Sequence, residues 1–135
     1  MLLQTIYASA RRADESGADL QDILSASRRN NPAIDVTGLL VILPDRYVQA
    51  LEGPADSVEP LLDFISDDAR HDGMRIVTRL LAEERSFARF AMADFAPSSD
   101  PAARLTDRVE KLIDRPDPAA GRDLWCDLAR LSVGA

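Results

Sequence analysis

The segment Tyr47-Val48-Gln49-Ala50-Leu51-Glu52-Gly53-Pro54 is interpreted as a β-strand that ends at a Gly-Pro pair, which breaks the strand. Successive side chains of a strand point to opposite faces, so Gln49 shares its face with the large apolar side chains of Tyr47 and Leu51. A primary amide buried without partners costs about 2 to 7 kcal/mol. Gln49 is therefore a satisfied core amide, an amide on the wet face of an edge strand, or a ligand-binding group.

Composition and charge are those of an ordinary globular domain. The 135 residues are 46% hydrophobic and 29% charged, which fits one domain with a real core. The formal net charge of −7 disfavours a nucleic-acid or anionic membrane partner, because both need clustered positive charge. The basic residues of this chain are scattered along it.

Cysteine and histidine usage limits the chemistry and the compartment. The single cysteine, Cys126, excludes an internal disulfide, and together with the single histidine it leaves no zinc-site spacing. No apolar run approaches the roughly 20 residues needed to span a bilayer, and no signal-peptide pattern opens the chain. We therefore expect a cytoplasmic protein.

Hydrophobic periodicity predicts five strands, at residues 2–8, 36–43, around Gln49, at 74–81 and at 88–94. A first helix is expected between the cap Asp19 and the breaker Pro32. A second helix follows Pro54, with Pro60 in its first turn or at a kink. The apolar stripe of the first helix comprises Leu20, Ile23, Leu24, Ser27 and Asn31, and that of the second comprises Val58, Leu61, Leu62 and Ile65.

A linker is predicted at residues 97–101, and two amphipathic helices follow it, the first ending near Pro116 and the second containing Trp125. The order βαββαββ is a ferredoxin-like α+β plan with one added strand and two helices on one sheet face. The C-terminal helices are expected to cover the other face, or alternatively to serve a second protein. The predicted division is a domain at residues 1–95 and a helical extension at 96–135.

The sequence contains no nucleophile motif, phosphate-binding glycine loop or metal cluster. It does place uncharged polar side chains on apolar faces, with the first helix expected over the strands of Tyr7 and Gln49. Such groups suit a flat heteroaromatic ligand with imide and carbonyl edges, because amides donate to carbonyls and accept from N–H. The set consists of Tyr7, Ser27, Asn30, Asn31 and Gln49.

Four separated motifs resemble one family. They are Ile6-Tyr7-Ala8-Ser9, Ser27-Arg28-Arg29-Asn30-Asn31-Pro32, Val36-Thr37-Gly38-Leu39-Leu40 and Gln49-Ala50-Leu51-Glu52-Gly53-Pro54. They occur in the order and at the spacing of a BLUF domain, the blue-light sensor that uses FAD. The chain resembles that family over about residues 1–95.

The resemblance implies roles for individual residues. Tyr7 would be the electron and proton donor to photoexcited flavin, Gln49 would bridge Tyr7 and the ring and rearrange on illumination, and Met92 would relay the change outward. The remaining cofactor-binding residues it implies are Ile23 and Ile65 around the ring, Asn31 with Asn30 at its carbonyl edge, Ser27, Asp68 near the far edge and His71 toward the ribityl chain.

Two departures from the family accompany the match. Phe90 stands where the family often has tryptophan, which puts any tryptophan-dependent signalling step in doubt. Phe64 stands where relatives often have a basic residue, which weakens polar contact to the flavin.

The resemblance implies a non-enzymatic photoreceptor that signals to an unidentified partner protein, as a homo-oligomer. One alternative is a light-insensitive interaction module on the same fold, which would be colourless when purified. Another is a small enzyme on a ferredoxin-like fold, which the lack of an apparent base, nucleophile or metal site disfavours.

Overall fold

The computed structural model describes residues 1–10, 35–67, 72–87, 93–95 and 97–134. The predicted first helix lies outside these residues. The described part contains five strands and three helices. They are β1 (Leu2–Ala10), β2 (Thr37–Ile42), β3 (Arg46–Pro54), α1 (Ala55–Asp67), β4 (Asp72–Ala82), β5 (Ala93–Phe95), α2 (Ser99–Asp114) and α3 (Pro118–Gly134).

The strands form one sheet in the order β4-β1-β3-β2-β5. Strand β1 is antiparallel to both β3 and β4, β2 is antiparallel to β3, and β5 runs parallel to β2. This is the sheet of the predicted α+β plan, with the fifth strand added beside β2. The interpretation of Gln49 as an amide on a wet edge strand is wrong, because β3 lies between β1 and β2.

Each face of the sheet has its own hydrophobic cluster, and helices cover both. Helix α1 packs on the face that carries Tyr7 and Leu51, while α2 and α3 pack on the face that carries Ile6 and Ala50. The prediction that the C-terminal helices cover the second face is confirmed. Each large apolar side chain buried there contributes about 1.5 to 3 kcal/mol. Those that α2 and α3 bury are Leu105, Val109, Leu112, Leu124, Trp125 and Leu128.

Several element ends differ from the predictions. The predicted linker at 97–101 is wrong, since α2 already begins at Ser99. Pro101 fits the first turn of α2, where a backbone N–H would have no helical partner in any case. Pro60 lies at the sixth position of α1, so the first-turn alternative is wrong, and a kink at Pro60 stays a prediction. Strand β4 begins at Asp72, two residues before the predicted start at 74, and β5 extends to Phe95, one residue beyond the predicted end at 94.

Helix α3 is fixed by its cap and by a close approach to the sheet. The Asp117 carboxylate accepts the N–H groups of Ala119 and Ala120 at 3.0 and 3.3 Å, which caps the helix ahead of Pro118. A Cβ at Gly121 would lie 2.4 Å from Thr78 Oγ1 of β4. Only glycine therefore lets the first turn of α3 rest directly on β4.

Among the helices that the structure describes, none combines the length and the apolar character that crossing a membrane requires.

Candidate functional site

Tyr7 and Gln49 face each other on the two central strands of the sheet. They are cross-strand partners in the antiparallel register of β1 and β3. The Tyr7 hydroxyl donates a hydrogen bond to Gln49 Oε1. Tyr7 is 0% exposed and Gln49 is 2% exposed. The predicted shared face of Tyr47, Gln49 and Leu51 is therefore real, and the register adds Tyr7 to it.

The surroundings of this pair are apolar. The α1 face of the sheet buries Leu40 and Leu51 beside Tyr7, and α1 places Val58 and Leu62 over them. A buried hydrogen bond in such surroundings is electrostatically stronger than the same bond in water. A change in the orientation of the Gln49 amide therefore changes the local energy far more here than it would at the surface.

The donor set of the pair fits a flavin ring. Because the Tyr7 hydroxyl donates to Gln49 Oε1, the Nε2 group of Gln49 is the side of the amide that donates hydrogen bonds. An amide donor suits the carbonyl edge of a flat heteroaromatic ring, and the apolar lining suits its faces. Tyr7 and Gln49 are thus chemically compatible with a flavin on this side of the sheet.

Helix α1 brings Ile65 to the same cluster. Ile65 is partly buried and packs against the cluster that contains Tyr7, and its role beside the ring stays a prediction. Its neighbour Phe64 is 69% exposed, so the departure from a basic residue at that position puts an apolar ring at the surface.

The other predicted site residues lie outside the residues that the structure describes, and their roles stay predictions. These are Ile23, Ser27, Asn30, Asn31, Asp68, His71 and Met92. Phe90 also lies outside.

On the opposite face, the structure reveals a polar cluster around Glu52 that sequence reasoning missed. Glu52 is 0% exposed, and its carboxylate accepts hydrogen bonds from Gln4 Nε2 and from the backbone N–H groups of Ser86 and Phe87. A signal was available in the sequence, because Glu52 alternates onto the face of Val48 and Ala50. A carboxylate on an apolar face is rarely fully buried unless it is paired.

A cleft of about 590 Å³ lies between α2 and α3, away from the Tyr7–Gln49 pair. Arg108, Lys111 and Arg115 line it together with Asp114 and Asp123. These charges of both signs give the cleft no single preference for anions or cations.

Comparison with known proteins identifies the family. Residues 2–93 match the BLUF family, described as sensors of blue-light using FAD. The chain is 33% identical over 93 residues to the blue light- and temperature-regulated antirepressor BluF of Escherichia coli (strain K12), a match that covers 69% of this chain. It is 32% identical over 81 residues, 60% of this chain, to the photoactivated adenylate cyclase subunit beta of Euglena longa. These matches span only 22% and 9% of the two relatives.

Solved structures agree in fold. BlrB, a BLUF protein in its dark state, superposes with a TM-score of 0.77 at 25% identity, covering 99% of this chain and 97% of BlrB. The photo-activated state of BlsA superposes with a TM-score of 0.79 at 24% identity, covering 96% of this chain and 95% of BlsA. Both superpositions extend over the C-terminal helices as well as the sheet.

The chain is a BLUF-fold protein with a buried tyrosine–glutamine pair on its central strands. It belongs to the BLUF family, whose members sense blue light using FAD. The resemblance drawn from the four motifs is confirmed, as is FAD as the family's cofactor.

Proposed function

We propose that this protein is a blue-light photoreceptor that binds FAD noncovalently and uses Tyr7 and Gln49 for its photochemistry. The observation that carries the proposal is the hydrogen bond from the buried Tyr7 hydroxyl to Gln49 Oε1, on the central strands of a BLUF-family sheet.

Bound FAD would supply the absorption of blue light and the acceptor for an electron. Tyr7 would be the donor: it would pass an electron to the flavin and then its hydroxyl proton along the hydrogen bond to Gln49, and both would return to Tyr7 as the flavin is reoxidised. The Gln49 amide then returns in a different hydrogen-bonding arrangement. Because the pair lies in apolar surroundings, exchange between the two arrangements must break buried hydrogen bonds, and this barrier lets them persist as distinct states.

The remaining cofactor-binding residues of the proposal come from the family resemblance and from α1. Ile65 packs beside the Tyr7 face, and Ile23 would approach from the first predicted helix. Asn31 and Asn30 would donate to the carbonyl edge of the ring, with Ser27 on the same helix. Asp68 and His71 would lie near the far edge and the ribityl chain, and Met92 would pass on the change at Gln49.

The output of the proposed receptor is a protein–protein signal rather than catalysis. The antirepressor and the cyclase subunit are, as their names state, regulated by light, which supports signalling to a partner. We further propose that the protein forms a homo-oligomer, is located in the cytoplasm and divides functionally into residues 1–95 and 96–135. The partner is an unidentified protein.

The experiment is an absorption spectrum of the purified protein, recorded before and after blue light. We expect a yellow protein that releases about one flavin per chain on acid treatment and shows a small, reversible red shift on illumination. A protein that stays colourless after flavin is supplied would instead be the light-insensitive interaction module. A yellow protein without a shift would be a flavin binder that does not sense light.

A further inference from the structure

Glu52 is a fully buried carboxylate that joins three parts of the molecule. It lies on β3, three residues after Gln49 and on the opposite face of the sheet. Its Oε2 accepts from Gln4 Nε2 of β1 at 2.7 Å, and its Oε1 accepts from the Phe87 N–H at 2.8 Å. The Ser86 N–H lies 2.8 Å from both oxygens. The donors therefore come from β1 and from the segment that follows β4.

The segment at Ser86 and Phe87 in turn contacts α3. Trp125 Nε1 donates to Ser86 Oγ at 3.1 Å. The Phe87 and Trp125 rings pack edge to face, with centroids 5.0 Å apart and an interplanar angle of 88°. Both rings are almost completely buried. A continuous chain of contacts thus runs from the backbone of β3 through Glu52 and Ser86 to Trp125.

A second anchor holds the same segment against the ends of β2 and β3. The Arg85 guanidinium donates to the Asp35 carbonyl at 2.6 Å, to Thr37 Oγ1 at 3.1 Å and to the Glu52 carbonyl at 3.3 Å. It also pairs with the Asp35 carboxylate at 2.9 Å. The segment is therefore fixed to the strand of Gln49 at two adjacent points.

The need for a carboxylate at position 52 follows from its partners. Both oxygens of Glu52 face N–H donors, and an ionised carboxylate accepts at both oxygens. A glutamine would turn an NH₂ group toward N–H donors on one side. Charge-assisted hydrogen bonds to a carboxylate are also about twice as strong as neutral ones.

We propose that Glu52 is a positioning residue that fixes α3 to the strand of Gln49, so that a rearrangement at Gln49 changes the environment of Trp125. The light-dependent part rests on the proposed photoreceptor function. A rearrangement of Gln49 that shifts β3 also moves the backbone of Glu52. The Glu52 carboxylate, on the opposite face of the sheet, transmits this movement to Ser86 and Phe87.

Trp125 is the only tryptophan of the chain, so it reports on this coupling without ambiguity. For the test, the flavin-bound full chain is labelled with 5-fluorotryptophan. The single ¹⁹F resonance and the flavin absorption spectrum are then recorded in darkness and under blue light. In the wild-type protein we expect the resonance to move on illumination and to return in darkness. In Glu52→Gln we expect a displaced dark resonance and loss of the light-induced movement, with the flavin red shift retained.

Two further variants complete the design. Glu59→Gln makes the same chemical change on α1, at an exposed carboxylate paired with Arg79, and should leave both the resonance and the shift unchanged. Ser86→Ala removes the acceptor of the Trp125 indole but keeps the backbone donors to Glu52. It should diminish the light-induced movement of the resonance without disturbing the fold, and an undiminished movement would overturn the coupling if Glu52→Gln does not fold.

The outcomes separate this inference from the photoreceptor proposal. A Glu52→Gln protein with the wild-type dark resonance and light response would overturn the inference. A wild-type red shift without any movement of the Trp125 resonance would overturn the coupling and leave the photoreceptor standing. A wild-type protein without a red shift would overturn both the photoreceptor proposal and the light-dependent coupling. In that case the dark Trp125 resonances of the wild type and Glu52→Gln would still decide whether Glu52 positions α3.

Discussion

Gln49 and Glu52 lie three residues apart on β3, and their side chains are buried on opposite faces of the sheet. Gln49 accepts from the Tyr7 hydroxyl beneath α1, while Glu52 accepts from Gln4, Ser86 and Phe87 beneath the C-terminal helices. Strand β3 therefore carries one buried polar side chain on each face of the sheet. A displacement of β3 affects both faces of the sheet, because the same strand carries both side chains.

Replacing Tyr7 by phenylalanine removes only a hydroxyl. We expect Tyr7→Phe to keep its flavin and to lose the reversible red shift, because the electron and proton donor is gone. Folding stability should fall by about 1 to 3 kcal/mol, since Gln49 Oε1 loses its buried donor. The light-minus-dark absorption spectrum and denaturant unfolding measure the two effects.

The matched control for this change is Tyr47→Phe. Tyr47 is the other tyrosine of the chain, lies on the same sheet face and is equally buried. It should keep the red shift. A shift that survives in Tyr7→Phe, or that disappears equally in both variants, would argue against a specific role for Tyr7.

Removing the amide of Asn31 should weaken flavin binding. Loss of one hydrogen bond to a buried carbonyl edge costs about 1 to 3 kcal/mol, which corresponds to about one to two powers of ten in affinity. Flavin titration of Asn31→Ala measures this loss. If Asn31 only ends its helix, the variant would lose stability in the flavin-free protein and bind flavin with unchanged affinity.

Adding one methyl group at Gly121 tests how closely α3 lies on the sheet. The new Cβ would meet Thr78 Oγ1 at 2.4 Å and Thr78 Cβ at 3.0 Å, so Gly121→Ala should destabilise the protein by about 1 to 3 kcal/mol. Denaturant unfolding measures the cost. Combining it with Thr78→Ala should recover part of the loss, since the two sites are in direct contact. Equal losses with and without the threonine would mean that α3 does not rest on β4 at this point.

The sequence predicted the central strand well, for a physical reason. Once residues 47–52 are assigned to a strand, its period of two places Tyr47, Gln49 and Leu51 on one face and Val48, Ala50 and Glu52 on the other. The same alternation placed Glu52 among apolar side chains. It could not show which donors satisfy the carboxylate, because Ser86 and Phe87 are distant in the chain and come close only through the sheet.

Element ends were harder to foresee, and the contact between Tyr7 and Gln49 was expected only from the family resemblance. Pro101 belongs to a segment with the composition of a linker, yet proline also fits a first helical turn, and the burial of Ala102 and Leu105 decides for the helix. The motifs predicted that Tyr7 and Gln49 belong together. Their hydrogen bond depends on the register of β1 against β3, which no local pattern in either strand specifies.

The most direct test of the central claim is the light-minus-dark absorption spectrum of Gln49→Leu. Leucine keeps nearly the same volume and removes every polar atom, so the flavin should stay bound while the reversible red shift disappears. Gln4→Leu is the matched control, because it makes the same change at a buried glutamine on the opposite face of the sheet, and it should keep the shift. A Gln49→Leu protein that shows the wild-type reversible shift would contradict the account and leave Gln49 as a structural residue.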